Sequence, residues 1–309
     1  MGMAERNRNQ SAREKIAAQQ ASTRRAEQRR RALIAGGSVV AVLAIVITLI
    51  VIKSVGGHGP KVTGAKTASA SVASSVTRDI ASVPASTLDQ VASGPAYPAK
   101  GSIYPHAIQT ISPAGTLLTG NGKPEVVYVG AEYCPFCAAE RWALSVALSR
   151  FGSFSGLHLI HSSSTDTDPN TPTLSFYKAS YASKYLTFVT TEAQTVSKTP
   201  LQPMTSLDKA LMGKYDVPPY VQTSAESGSF PFVDFGNQYV IDGASYDPAI
   251  LKGLTWEQIS SALKDPSSPV AKSADGAANL ITAAICKLTG GKPGNVCTST
   301  AVKTASGAI

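Results

Sequence analysis

The feature that most constrains the fold is a pair of cysteines between a predicted strand and a predicted helix. Residues 125–130 read EVVYVG, a short β-branched run after the turn residues GNGKP, and they indicate a buried strand. Residues 135–151 are predicted to form a helix, and Pro135 suits its first position. Cys134 and Cys137 form a C-P-F-C motif at this junction, and C-x-x-C in a βαβ context is a redox signature.

Further strand and helix signals follow along the chain. The predicted elements are strands at 157–161, 232–235 and 238–241, and helices at 206–215 and from Thr255 to before Pro266, with strand-like pieces in an insertion over 170–192. Gly236-Asn237 is a two-residue connection typical of a β-hairpin. The order strand, helix, strand, helix, strand, strand, helix, with C-x-x-C at the first junction, resembles thioredoxin. This resemblance implies an α/β fold in which helices flank a central mixed sheet.

The start of the predicted helix is expected to stabilise the thiolate of the first cysteine. Cys134 is expected at the N-cap, where unpaired backbone N–H groups and the positive end of the helix dipole favour a thiolate. The thiolate is the reactive form, so Cys134 is predicted to attack and Cys137, one turn later, to resolve the mixed disulfide. Pro135 and Phe136 are expected to support the site by stiffening the loop and offering apolar contact.

Pro231, just before the strand at 232–235, is the third predicted element of the site. In thioredoxin-like proteins a cis-proline in this place lies against the dithiol and presents backbone to the substrate. The resemblance therefore implies a cis bond between Phe230 and Pro231 in this chain. A plain proline at a strand start is the alternative that position alone favours.

Four interpretations compete for the C-P-F-C pair. Zinc sites use four ligands, commonly paired C-x-x-C units, whereas here ten residues lie between Cys286 and Cys297 and no histidine lies near either pair. Copper carriage through soft thiolates and a purely structural bridge are the other two alternatives. Redox chemistry is the favoured interpretation, with no metal and no cofactor beyond the disulfide of Cys134 and Cys137.

The second pair of cysteines is predicted to be structural. A helix over AANLITAAICKL ends near Gly290-Gly291, and KPGNVC turns back towards it. In an oxidising compartment Cys286 and Cys297 would form a disulfide that stabilises the tail by roughly 3 kcal/mol. A redox relay between the two pairs is the alternative.

Other residues are weaker candidates for a catalytic or ligand-binding role. Glu140 could accept a proton from Cys137, but a solvated helix face with Trp142 in the core is the favoured interpretation. The four histidines lack a ligand-like spacing, and no phosphate loop, G-x-G-x-x-G motif or G-x-S-x-G motif is present. Electrons are therefore expected to pass to or from a partner, with a membrane oxidase or reductase as the hypothesis.

The N-terminal part of the chain predicts a membrane anchor. Residues 1–31 carry nine basic and three acidic side chains, which accounts for +6 of the net charge of +8. Residues 32–52 hold no charged side chain, and as a helix of about 31 Å they would match the ~30 Å bilayer core. Arg29, Arg30 and Arg31 place the N-terminus in the cytoplasm and the rest of the chain outside the cell membrane. The basic segment is explained by this topology and by anionic lipid, so no nucleic-acid binding is expected.

The expected domain organisation has five parts. They are a basic cytoplasmic segment (1–31), a transmembrane helix (32–52), a flexible Ser/Ala/Thr-rich tether (53–95), a thioredoxin-like domain (96–270) and a disulfide-pinned tail (271–309). The C-terminal boundary of the tether is approximate, because the apolar residues Ile80, Val83 and Leu88 are able to pack against the folded domain.

Three separated motifs together resemble one family. VYVGAEYCPFCAAERWAL, SKYLTF and ICKLTGGKPGNVC are similar to the membrane-anchored, thioredoxin-like group catalogued as domain of unknown function 929. The resemblance implies the fold, the placement outside the membrane and a dithiol site at Cys134 and Cys137. The sequence thus predicts a membrane-anchored thiol–disulfide oxidoreductase acting on cysteines of secreted or envelope proteins. The alternative is a non-catalytic binding or assembly module, or a copper-handling protein, on the same scaffold.

Overall fold

The computed structural model describes residues 69–92, 108–221 and 227–309. The strands within these residues are β1 (Gln109–Thr110), β2 (Thr119–Gly120), β3 (Lys123–Gly130), β4 (Gly152–Ser155), β5 (His158–His161), β6 (Pro172–Ser175), β7 (Ser180–Ser183), β8 (Thr187–Glu192), β9 (Phe232–Phe235) and β10 (Tyr239–Asp242). The helices are α1 (Ala70–Ala81), α2 (Ala85–Val91), α3 (Pro135–Ser149), α4 (Ser206–Tyr215), α5 (Trp256–Ala262), α6 (Gly276–Leu288), α7 (Gly294–Cys297) and α8 (Thr300–Ser306). A 3-10 turn covers Pro248–Leu251, and a π-helical turn covers Ala271–Asp275.

Strand β3 is the centre of a mixed sheet. It pairs in parallel with β8 and antiparallel with β9, while β10 pairs with β9 and β1 with β10. The short β2 also pairs antiparallel with β3. Residues 126–130 of β3 are all buried, as expected for a strand with protein on both faces.

The two faces of the sheet carry two apolar clusters. Successive side chains of a strand point to opposite faces, so Val126 and Tyr128 face one cluster, whereas Val127 and Val129 face the other. The larger cluster lies against α3 and α6, and the smaller one includes Leu211 of α4. Helix α3, which carries both cysteines of the C-P-F-C motif, is therefore packed directly on the central sheet.

The second strand of the central sheet is not the one predicted. Residues 158–161 form β5, which pairs with β6 in a separate two-stranded sheet. Residues 187–192, assigned to an insertion, instead form β8 beside β3. The chain between α3 and β8 builds two small antiparallel pairs, β4–β7 and β5–β6, outside the central sheet.

Part of the predicted tether is folded. Within residues 53–95, α1 and α2 pack onto the domain, and Val76, Ile80 and Leu88 are buried in the larger cluster. Asp79 of α1 also forms an ion pair with Lys264. The tether prediction is therefore wrong for residues 69–92, because their few apolar side chains fall on one helical face.

The structure corrects the predicted fold class, which placed a transmembrane helix before the α/β domain. Residues 32–52 lie outside the described ranges, and within those ranges no helix is long and apolar enough to cross a membrane. The longest described helix, α3, has 15 residues and spans about 22 Å, short of the ~30 Å bilayer core. The fold shown is mixed α/β, and the single-pass membrane topology and the extracytoplasmic location are not retained.

A disulfide closes the C-terminal part of the chain. Cys286, near the end of α6, is bonded to Cys297 at the end of α7, and the sulfur atoms lie 1.97 Å apart. Helix α6 packs on α3 and α8, so the crosslink is anchored to the core at Cys286, whereas residues 287–295 are exposed or half-buried. The crosslink restricts the unfolded chain over a separation of 11 residues.

Replacing both cysteines of this crosslink should weaken the fold. In the chain-entropy model, Cys286→Ser with Cys297→Ser lowers the free energy of unfolding by about 3 kcal/mol. Urea unfolding followed by circular dichroism measures the change. Reductant should destabilise the parent protein to the level of the reduced variant. Equal stability of both proteins without reductant would contradict the assignment.

Candidate active site

Cys134 lies at the N-cap of α3, as the sequence predicts. Its backbone N–H donates to the carbonyl of Ala131 at 3.2 Å, which closes the turn after β3. Its Sγ accepts the backbone N–H of Cys137 at 3.3 Å, in the manner of a capping side chain. Pro135 occupies the first helical position, where its missing N–H costs no helical bond.

The two thiols of the motif have different environments. Both cysteines are free, with Cys134 5% exposed and Cys137 fully buried. A hydrogen bond from the Cys137 thiol, helped by the Cys137 N–H and the charge of Arg141, lowers the pKa of Cys134 despite its burial. Burial, followed by the bond to Cys134, raises the pKa of Cys137 well above its ordinary value. Cys134 is therefore the thiol that ionises first.

The predicted proline lies beside this pair. The Phe230–Pro231 peptide bond is cis, and the carbonyl of Phe230 lies 3.5 Å from the Sγ of Cys134. The position follows from the sheet, because β9 runs antiparallel to β3 with Phe232 opposite Val129. Phe230 and Phe136 are both partly exposed and supply apolar surface close to the cysteine pair.

A buried ion pair underlies the cysteines. Arg141 is one turn beyond Cys137 on α3, and Glu192 ends β8, in register with Gly130. Arg141 Nε donates to Glu192 Oε1 at 2.8 Å and Nη2 donates to Oε2 at 2.7 Å, and both side chains are fully buried. Arg141 Nη2 also donates to the Ala131 carbonyl at 2.7 Å. The pair therefore joins the helix, a strand and the loop that carries Cys134.

A second acid lies in the loop before the motif. Glu132 Oε1 accepts the hydroxyl of Ser175 at 2.7 Å and lies 3.9 Å from His158 Nε2. Burial opposes the charge of Glu132, but the nearby His158, the hydrogen bond from Ser175 and the charge of Arg141 lower its pKa. The proximity of Glu132 in turn raises the pKa of His158. This histidine thus has an acidic partner that its sequence spacing does not reveal.

Glu140 is buried, which corrects the expectation of a solvated helix face. Its Oε2 accepts the backbone N–H of Ser245 at 2.8 Å, and burial raises its pKa to about 7. Trp142 lies in the core as expected, with Nε1 donating to the Pro172 carbonyl at 3.0 Å. The charges that act on the pKa of Cys137 are those of Cys134, Arg141 and Glu192.

The two cysteine pairs lie near opposite ends of β9. Cys134 is beside Phe230, before the strand begins. Leu288, two residues after Cys286, lies against Gly236, after the strand ends. This placement gives no support to a redox relay between the pairs. The described residues hold no group of three or more histidine, cysteine or acidic side chains placed to bind a metal ion.

Sequence reasoning missed the partner of Arg141. Arg141 lies four residues after Cys137 in a helix of mostly apolar residues, and this pattern indicates a charged side chain near the dithiol. The sequence gives no such indication for Glu192, because its position depends on the pairing of β8 with β3.

A comparison with protein families gives a match over more than half of the chain. The model of a family described as a domain of unknown function (DUF929) matches residues 110–287, which are 178 of the 309 residues of the chain. No curated protein matches, and no solved structure matches. These findings do not show a thioredoxin-like relationship.

The lowered pKa of Cys134 predicts selective alkylation. In reduced protein, a limiting amount of iodoacetamide near pH 7 should modify Cys134 about tenfold faster than Cys137, because the thiolate is the nucleophile and Cys137 is buried and neutral. Peptide mapping by mass spectrometry measures the two rates. Equal modification, or faster modification of Cys137, would contradict the assigned roles.

The raised pKa of the buried Glu140 predicts that the free energy of unfolding falls as the pH rises. The folded pKa of Glu140, about 7, lies above its unfolded value, so its contribution is complete below pH ~4.5 and is lost as the pH rises through 7. Glu140→Gln keeps an oxygen acceptor for Ser245 and should be roughly 1–3 kcal/mol more stable than the parent at pH 8 but equal at pH 4. Urea unfolding at both pH values measures this difference. The exposed Glu257→Gln is the matched control, and a gain for Glu140→Gln that is the same at both pH values would refute the linkage.

Proposed function

We propose a function for a chain that belongs to the DUF929 family: it is a thiol–disulfide oxidoreductase that acts through Cys134 and Cys137. The observation that carries the proposal is the position of Cys134 Sγ at the start of α3, where it accepts the backbone N–H of Cys137 at 3.3 Å. A sulfur held in this way is stabilised as an anion by the hydrogen bond and by the positive end of the helix. A second thiol one turn away completes the chemistry.

The exchange proceeds in two balanced steps. The Cys134 thiolate attacks one sulfur of a client disulfide, so an S–S bond forms between protein and client and the second client sulfur leaves as a thiolate. Cys137 then loses its proton and attacks Cys134 Sγ, which forms the Cys134–Cys137 disulfide and releases the first client sulfur. The two client thiolates take up two protons. The client disulfide is reduced by two electrons and the protein dithiol is oxidised by two, and the reverse sequence oxidises a client dithiol.

The side chains around the dithiol fit an attack at Cys134 rather than at Cys137. Cys137 is fully buried beneath the helix start, so a client sulfur reaches it only through the intermediate on Cys134. Phe136 and Phe230 provide partly exposed apolar surface beside Cys134 for the chain around a client cysteine. The electron pair is carried to or from a second dithiol or disulfide, which is the partner class we propose for turnover.

One observation favours a different class of function. Only 5% of Cys134 is exposed, as expected of a dithiol that serves as a closed structural element in a binding module. The reduction potential of the Cys134–Cys137 pair discriminates the two functions. A value between about −120 and −270 mV is that of known oxidoreductases, whereas a value below about −300 mV is that of an inert bridge.

Removal of the resolving thiol should trap clients. In Cys137→Ala the first step still occurs but the second does not, so disulfide-linked adducts on Cys134 should accumulate and disappear on addition of reductant. Non-reducing gels of an extract incubated with reactive purified variant, followed by mass spectrometry, detect these adducts. Cys134→Ala with Cys137→Ala is the matched control and should capture nothing. A folded Cys137→Ala protein that forms no more adducts than this control would refute the proposal.

A further inference from the structure

The buried pair of Arg141 and Glu192 takes no part in the bond exchange at the thiols. Two charges withdrawn from water lose hydration, and a close ion pair recovers this loss only in part. Apolar side chains of similar size would often serve the fold as well or better. The position of the pair therefore needs a reason beyond packing.

The positive member of the pair lies on the helix of the dithiol and contacts the loop before Cys134. Arg141 follows Cys137 by four residues on α3, so the two side chains lie on one face of the helix. Arg141 Nη2 and the Cys134 backbone N–H donate to the same carbonyl, that of Ala131, at 2.7 and 3.2 Å. The guanidinium thus shares an anchoring point with the backbone of the attacking cysteine.

The negative member is held by other groups. Glu192 belongs to β8, and its Oε1 also accepts the backbone N–H of Phe176 at 3.3 Å. Burial opposes the charge of Arg141, but Glu192 raises the pKa of the guanidinium well above its ordinary value, so Arg141 stays protonated. Tyr128 on β3, whose ring centroid is 5.9 Å from Arg141 Cζ, has its pKa raised by burial and stays neutral at pH 7.

We propose that Arg141 is a positioning residue for the dithiol, and that its charge, held in place by Glu192, stabilises the thiolate formed at Cys134 and then at Cys137. The proposal rests on the proposed function, because thiolates are the species that the exchange requires. The hydrogen bond between the thiols and their burial have the largest effects on the two pKa values. Among the neighbouring charged side chains, Arg141 lowers the pKa of both cysteines, whereas Glu192 raises that of Cys137.

Substitutions of the two partners should have opposite effects on the thiol. Arg141→Met should slow alkylation of Cys134 by iodoacetamide at pH 7 by about fivefold or more, whereas Glu192→Gln should accelerate it. Arg141→Lys keeps the charge and is the matched control, with a rate closer to the parent than that of Arg141→Met. The measurement is the rate of Cys134 modification across pH in reduced protein, read by mass spectrometry.

A purely structural pair would give a different result. If the pair served only to hold the fold, both substitutions would loosen the site and shift alkylation in the same direction, and this outcome would overturn the proposal. Arg141→Met with Glu192→Gln leaves no unpaired buried charge, so it tests the same point if Arg141→Met does not fold. This double variant should also react more slowly than the parent, and a rate equal to or above the parent's would overturn the proposal.

Alkylation requires no client protein, so the two proposals can fail separately. Opposite shifts in alkylation without any client adducts on Cys137→Ala would refute the oxidoreductase and leave the role of Arg141 intact. Client adducts with unchanged alkylation in the Arg141 variants would refute only the role of Arg141.

Discussion

The geometry around the dithiol depends on the ion pair between Arg141 and Glu192, because the pair joins helix α3, the end of strand β8 and the loop before Cys134. It fixes helix α3 against the end of β8 and ties both to the Ala131 carbonyl, from which the loop leads to Cys134. The pairing of the sheet fixes the position of Glu192 at the end of β8, and helix α3 fixes the position of Arg141. The bond from Arg141 to the Ala131 carbonyl then fixes the loop. The geometry of the dithiol is thus a product of the core and not of the C-P-F-C motif alone.

Features fixed by neighbouring residues could be predicted from the sequence. Gly236 and Asn237 both have positive φ in the turn of the β9–β10 hairpin, as expected, although β10 begins at Tyr239 and the connection therefore has three residues and not two. Thr255 and Gln258 cap α5 reciprocally through side chain and backbone, and Pro135 begins α3 as expected. In each case the residues that decide the conformation are within a few positions of it, so the pattern can be read without knowledge of the fold.

Features fixed by distant contacts could not be predicted in the same way. Residues 157–161 and 187–192 both read as short strands, and only pairing with β3 decides which one enters the central sheet. The side chain of Glu140 was expected in solvent, yet it is buried and bonded to Ser245, more than fifty residues away. Arg141 is likewise buried, with a partner 51 residues away. The helices over 69–92 have a tether-like composition, and their burial depends on the surface that the rest of the domain offers.

The buried carboxyl groups have a consequence for the energetics of folding. Burial raises the pKa of Glu140 and Asp234 to about 7 and that of Asp275 to about 8, whereas the unfolded chain has ordinary acids. Folding in weakly acidic solution is therefore accompanied by proton uptake from the buffer. The heat absorbed on thermal denaturation then includes the ionisation enthalpy of that buffer, so calorimetric scans in phosphate and in an amine buffer at the same pH differ by an amount that counts these protons.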